Sequence, residues 1–271
     1  MMWIVGVLCA LLVSTAAYWK KSLSLSGAVA ATIMGTVYFA AGNLFWFGIL
    51  LIFFGSSSVI SKFRQSLKVE LEKSYAKTGR RDAGQVLANG GLGMLLCILN
   101  AIWPHPEWAY LFIGVMATVT ADTWATEIGS LSTRPPRSVL NGKVLTVGIS
   151  GGISILGSTA AATGGAMIGG FAWVFETLST WDFQLQALLI WILIGLIAGL
   201  AGAFTDSILG ASIQVMYQCR VCGKEVEVTS HCGHTTKQIR GWIRINNDVV
   251  NVWSSMVGGI VALLLVLVMG L

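Results

Sequence analysis

"VMATVTADTWATEIGS", Val115 to Ser130, runs out of an apolar segment and then sets Asp122 and Glu127 among small residues and a tryptophan. A carboxylate in the interior of a bilayer costs roughly 2.5–3.5 kcal/mol even on the mildest scale. Something must offset that cost: water, a basic partner or a metal ion. The rest of the chain makes the bilayer the relevant solvent. Of its 271 residues 55% are hydrophobic and 11% charged, and the mean hydropathy is +0.76; a soluble domain carries about 25% charged residues. The expected fold class is all-α: a polytopic membrane helix bundle of about eight transmembrane helices, forming a single integral-membrane domain over residues 1–271. With 32 Gly and 4 Pro, the helices are expected to pack through small residues. Met1 to Tyr18 has no basic start and is followed by Trp-Lys-Lys, so it reads as a retained span rather than a cleaved signal.

Apolar runs lie at about 2–19, 23–41, 44–60, 86–103, 108–126, 149–174, 186–205 and 249–270. All 17 Lys and Arg fall in alternate connections: after the first run, in 61–85, in 127–148 and in 207–247. The other connections hold Glu107, Glu176 and Asp182 and no basic residue. The positive-inside rule then predicts a multi-pass protein with both termini outside and the basic loops, including a small Cys/His loop, in the cytoplasm. The net charge of +5 is thus accounted for by topology and lipid headgroups, not by nucleic acid.

In this topology the acids converge. Asp122 and Glu127 end the fifth span, Asp206 in "GAFTDSILGASIQ" ends the seventh, Asp82 in "GRRDAGQVLANGG" begins the fourth, and Asp248 in "RINNDVVN" begins the eighth. For Asp82 a structural reading is as strong as a functional one, because it follows Arg80 and Arg81 at a helix start. Asp122, Glu127 and Asp206 have no basic residue within several positions. Hard oxygen ligands of this kind near phosphate suit Mg²⁺. Asn247 and Asn251, one helical turn apart, add polar groups on one face.

Two further stretches carry chemistry. "LNGKVLTVGISGGISILGSTAAATGG" reads as a glycine-rich start to the sixth span, whose free N–H groups suit a phosphate. Asn141, Lys143, Gly148, Ser150, Gly151 and Gly152 are the candidates there, whereas the glycines from Gly157 onward suit helix packing. "CRVCGKEVEVTSHCGH" has near zinc-ribbon spacing, with Cys219, Cys222, Cys232 and His234 as the expected ligands of a structural zinc.

Six segments in order, "GRRDAGQVLANGG", "ADTWATEIGSLS", "NGKVLTVGISGGISILGSTAAATGG", "FTDSILGASIQ", "CRVCG…HCGH" and "RINNDVVN", resemble the integral-membrane family that includes transmembrane protein 19 and the plant and cyanobacterial phytyl-phosphate kinase. The resemblance implies an Mg²⁺-dependent phosphotransferase. It would move a phosphoryl group from a nucleoside triphosphate, CTP among the candidates, to an isoprenyl (prenyl or phytyl) monophosphate. For that chemistry the residues singled out above are assigned these roles. Asp122, Glu127 and Asp206 would hold Mg²⁺; Asn141, Lys143 and the Gly148–Gly152 amides would hold donor phosphates. Arg80 and Arg81 would neutralise charge, with Asp82 orienting them, and Asn247 and Asn251 would complete the polar floor. The partners are then the isoprenyl monophosphate and the lipid bilayer, a homo-oligomer being compatible with such a bundle. The competing readings are a transporter of a cation or lipid phosphate, whose site would lie near the midplane, and a cytidylyltransferase-like enzyme.

Overall fold

The computed structural model of the protein describes residues 2–63 and 80–270; Arg64, Lys68, Lys73 and Lys77 of the second basic loop lie outside them. Eight helices are described: α1 (Met2–Trp19), α2 (Leu25–Ala40), α3 (Leu44–Lys62), α4 (Ala83–Ile102), α5 (Pro106–Gly129), α6 (Ile155–Thr180), α7 (Leu185–Ser212) and α8 (Asn247–Met269). Six are long and apolar enough to cross a membrane. The protein is therefore a polytopic helical membrane protein, as its composition requires.

The two helices outside that group have different reasons. Helix α2 has 16 residues, about 24 Å at 1.5 Å per residue. Helix α5 is long but less apolar because it faces protein rather than lipid. Every residue from Phe112 to Ala121 is buried, and α5 packs against α3, α4, α6, α7 and α8. At the opposite extreme, Leu8, Leu12 and Ile4 of α1 are exposed, as suits a peripheral helix in lipid.

Polar residues start the helices. The side chains of Ser24, Asn43, Asp82, Ser154 and Asn246 each accept a hydrogen bond from a backbone N–H in the first turn that follows, satisfying donors that a helix leaves unpaired. These caps fix boundaries that hydropathy alone blurred. Helices α5 and α7 run on to Gly129 and Ser212, so Asp206 lies well within a helix and Glu127 in the last turn of one. The glycine-rich stretch is not a helix start. Gly148 and Gly151 have φ of +93° and +90°, which a right-handed helix cannot accommodate, and α6 begins only at Ile155. Residues 137–153 instead form a loop closed by a two-residue antiparallel pairing of β1 (Arg137–Ser138) with β2 (Gly152–Ile153).

Small residues set the closest crossings. A Cβ at Gly195 of α7 would strike the Gly165 carbonyl of α6 and come within 2.8 Å of the Gly169 amide. A Cβ at Gly258 of α8 would strike Thr118 Oγ1 of α5. Thr118 bonds its own helix at Gly114 O (2.9 Å) and α7 at Ala198 O (3.3 Å). Helices α5, α7 and α8 are thus held close around one hydroxyl.

Gly195→Val should therefore overpack the α6–α7 crossing and destabilise the protein by about 1–3 kcal/mol. It would be read as a lower midpoint in thermal unfolding of the detergent-solubilised protein. Gly91→Ala, where an added Cβ meets nothing within 4 Å, should cost nothing.

Candidate functional site

One end of the bundle gathers the site. Backbone bonds join the end of α1 to the start of α4: Ser24 N–H donates to Arg81 O (2.9 Å) and Arg81 N–H to Ser22 O (3.1 Å). Lys62 Nζ at the end of α3 donates to Lys20 O at 2.5 Å. The C-terminal halves of α5 and α7 and the N-termini of α4, α6 and α8 meet at this same end, around a cavity of about 280 Å³. Asp122 and Glu127 of α5 and Asp206 of α7 line it. Gln85 and Asn89 of α4, Ser154 and Gly157 of α6, and Asn247 and Asn251 of α8 line it too. The polarity is consistent: carboxylates come from helix C-terminal halves, while the N-termini of three helices, with their positive dipole ends, lie at the same end of the bundle.

Asp206 is only 9% exposed. Ser254 Oγ of α8 donates to its Oδ2 at 3.1 Å. The Asn251 amide, in the orientation that satisfies its neighbours, donates to the same oxygen at 3.0 Å and to Asn247 O at 3.3 Å. Asp122, Asp206 and Glu227 repel one another electrostatically. They line the walls of the cavity without closing on one point: among the described residues, the group of acidic, Cys or His ligand atoms that does so is elsewhere, at Cys219.

Arg80 and Arg81 part company. Arg80 is exposed, its Nε donates to Leu23 O at 3.0 Å, and its guanidinium lies over the Tyr18 ring, 5.3 Å from the centroid. Arg81 is 8% exposed, lines the cavity and donates to Ser58 Oγ at 3.2 Å. Burial pushes the Arg81 guanidinium below its ordinary value, and the charge of Glu127 pulls it back up. Asp82 caps α4 rather than lining the cavity: its Oδ1 accepts from Gln85 N at 2.9 Å, and Gln85 Oε1 accepts from Asp82 N at 3.2 Å. This capping box aims Gln85 into the cavity.

The glycine-rich loop divides in the same way. Gly148, Ser150, Gly151 and Gly152 line the cavity, whereas Asn141 and Lys143 do not. They sit on an exposed turn around Gly142, where Asn141 Oδ1 accepts from Lys143 N at 3.1 Å and Gly142 O accepts from Arg137 Nη1 at 2.9 Å. Gly151 packs on the end of α7: a Cβ there would lie 2.8 Å from the Ala211 amide nitrogen. Ser150 Oγ donates to Gln214 Oε1 at 3.0 Å, and Gln214 Nε2 donates to Glu227 Oε1 at 2.9 Å. Gln214 is 1% exposed, so this chain fixes the loop to the excursion that follows α7.

That excursion, residues 213–246, is a small β unit: a three-stranded sheet β4-β3-β7 from β3 (Met216–Gln218), β4 (Glu225–Val226) and β7 (Lys237–Arg240), and a hairpin of β5 (Ser230–His231) with β6 (His234–Thr235). It carries Glu227 to the cavity. The ligand atoms of Cys219, Cys222, His231 and Cys232 lie within 4.8 Å of one another. The imidazole in this group belongs to His231, not to the expected His234. Cys232 and Gly233 have φ of +53° and +75° and make a tight two-residue turn that sets His234 across the hairpin from His231. The Cys222 amide, then the His231 side chain, draw the Cys219 thiol down to about 6.

Glu227 was not legible as a site residue, because "KEVEV" reads as an exposed alternating strand. Gln85 and Asn89 left a usable signal: two polar residues four apart on one face of an otherwise apolar span.

The chain matches the model of the family described as integral membrane protein DUF92 over residues 8–259. It is 32% identical over 266 residues to Protein PGR of Arabidopsis thaliana, covering 92% of this chain and 90% of that protein. It is 30% identical over 252 residues to an uncharacterized membrane protein of Methanocaldococcus jannaschii, covering 91% and 87%. No solved structure matches.

Because Asp82 caps α4, Asp82→Ala should cost about 0.5–2 kcal/mol and Asp82→Ser should restore most of it, both read as unfolding midpoints in detergent.

Proposed function

We propose that this chain, which belongs to the integral membrane protein family DUF92, is an isoprenyl-phosphate kinase that transfers a phosphoryl group from a nucleoside triphosphate to a prenyl monophosphate. The observation that carries this reading is a pair of adjoining cavities of opposite character. Beside the acidic cavity lies an apolar one of about 60 Å³ between α1, α2, α3 and α4, with Ala10, Ala31, Met34, Phe47 and Phe54 in its walls. The two share Arg81, Gln85 and Asn89. An amphiphile with one phosphate and one hydrocarbon tail matches that junction: the phosphate at Arg81, the first tail carbons in the apolar cavity, and the remaining chain in lipid. Burial of those carbons is favourable by about 0.8 kcal/mol per CH₂.

The chemistry needs positioning and charge neutralisation more than a covalent intermediate. An oxygen of the prenyl phosphate, already ionised near neutral pH, forms the new bond to the terminal phosphorus of the donor. The bond from that phosphorus to the bridging oxygen breaks, and the nucleoside diphosphate leaves. Arg81 would hold the acceptor phosphate. The Gly148–Gly152 loop and the N-terminus of α6 would hold donor phosphates. The carboxylates of Asp122, Asp206 and Glu227 line one cavity without converging on one point, which suits Mg²⁺, an ion usually bound through one or two carboxylates with substrate phosphates completing its shell; one or two of them would hold it. When bound, it neutralises charge on the donor phosphates. Asn251 and Ser254 orient Asp206. Because the acids gather where the basic connections lie, the positive-inside rule would put this end in the cytoplasm and both termini outside.

The test is label transfer. Protein in lipid nanodiscs is incubated with Mg²⁺, geranylgeranyl or phytyl monophosphate, and each γ-labelled nucleoside triphosphate, CTP first. Labelled prenyl diphosphate is expected, reduced at least about 10²-fold in Asp122→Asn and in Asp206→Asn. Ala31→Phe, which fills the apolar cavity, should raise KM for the prenyl phosphate about tenfold or more with little effect on KM for the donor. Full turnover in both aspartate variants, or no diphosphate from any donor, would overturn the reading.

A further inference from the structure

The cluster at Cys219 lies apart from the acidic cavity, and its geometry is that of a closed ligand shell. His231 Nδ1 stands 3.5 Å from Cys222 Sγ and 3.2 Å from Cys232 Sγ. In a tetrahedral zinc site, with about 2.3 Å to sulfur and about 2.0–2.1 Å to nitrogen, neighbouring S and N ligand atoms are roughly 3.5 Å apart. The backbone around the first pair is a tight turn closed on its own sulfur. Val221 N–H approaches Cys219 Sγ at 3.4 Å, Gly223 N–H donates to Cys219 O at 3.0 Å, and Gly223 has a φ of +73°. The second pair is delivered by the Cys232–Gly233 turn of the β5–β6 hairpin. The cysteines are free thiols, so no disulfide accounts for their convergence.

The position of the cluster in the chain gives it a second consequence. Cys219 and Cys222 precede Glu227, and His231 and Cys232 follow it. Anything that joins the two pairs closes a loop around Glu227, the carboxylate that the excursion brings into the cavity. Strand β4, immediately before Glu227, pairs with β3 through Tyr217–Val226 and Gln218–Glu225. The register of this short ladder is set within two residues of the first cysteine. A two-residue strand has little stability of its own.

We propose that Cys219 Sγ, Cys222 Sγ, Cys232 Sγ and His231 Nδ1 bind one zinc ion, and that this ion locks the 213–246 excursion so that Glu227 is held at the acidic cavity. The site is distinct from the Mg²⁺ site and has a structural role: with four protein ligands it has no open position for chemistry. Glu227 is a positioned residue in this scheme, and the zinc acts on the cavity only through it.

The proposal is tested on the full-length protein in detergent, without substrate or nucleotide, so its outcome is independent of the kinase reading. Metal analysis should find about one zinc per chain, and Co²⁺ exchanged into the site should give thiolate-to-cobalt charge-transfer bands. Cys222→Ser, Cys232→Ser and His231→Ala should each lose the metal, while His234→Ala and Cys9→Ser keep it. Size-exclusion profiles identify any variant whose bundle has collapsed. In the wild type, stripping zinc with a chelator should speed amide hydrogen exchange across residues 225–231 about tenfold or more, leaving α5–α8 unchanged. Zinc-free protein that takes up no Co²⁺, or zinc retained after Cys222→Ser, would overturn the site; so would a Cys219–Cys222 disulfide in freshly purified protein. Loss of zinc with unchanged exchange at 225–231 would overturn its role in placing Glu227.

Discussion

The structure depends on the burial of Asp206 between α7 and α8. A carboxylate in this position loses its water and must be repaid in hydrogen bonds or opposite charge. Ser254 and Asn251, one turn apart on α8, supply the hydrogen bonds. They reach Asp206 because the helices cross closely, with Gly202 of α7 and Gly258 of α8 both set against Thr118 of α5. A side chain at either glycine would push apart the helices that carry Asp122, Asp206 and Asn251. The small residues that pack the bundle therefore also fix the spacing of its acids. In a membrane this division of labour is expected: helices satisfy their own backbone, and only side chains and helix ends remain to build a polar site.

The electrostatic plan follows from chain direction. Alternating helices bring carboxylate-bearing C-terminal halves and N–H-bearing N-termini to one end, so one cavity offers ligands for a cation beside donors for an anion. Bound separately, each would be opposed by the other's charge. On the proposed function a metal ion with phosphate would satisfy both at once, and Arg81 at the boundary with the apolar cavity would extend the match to a phosphate carrying a hydrocarbon tail. The Cys/His excursion supplies a further carboxylate, Glu227, from outside the helices.

Much of the fold, and the gathering of its acids at one end, was legible in the sequence, for physical reasons. Runs of apolar residues near bilayer length announce helices whatever they pack against, and a carboxylate in such a run announces a compensated site; Asp122, Glu127 and Asp206 share one cavity. What one dimension could not carry was direction. Arg80 and Arg81 are adjacent, yet one turns to Leu23 and Tyr18 and the other to the cavity, because the pairing of Arg81 with Ser22 and Ser24 fixes their opposite facings. Asn141 and Lys143 looked like phosphate ligands beside glycines, but positive φ angles turn the chain into a loop whose far end is solvent-exposed. His234 fitted the spacing of a zinc ligand, and a two-residue turn gave the place to His231. Glu227 gave no sign at all, since its approach to the cavity depends on the tertiary fold of the excursion.

The central claim is that the cavity lined by Asp122, Asp206 and Glu227 holds a divalent cation together with phosphate. Electron paramagnetic resonance of Mn²⁺ added to the protein with a non-hydrolysable nucleoside triphosphate analogue tests it most directly. The account predicts a tightly bound Mn²⁺ whose signal carries coupling to nucleotide ³¹P, and whose binding is weakened at least about tenfold by Asp206→Asn. Mn²⁺ that stays with the nucleotide in bulk solution, or binds the Asp206→Asn protein as it does the wild type, would contradict it.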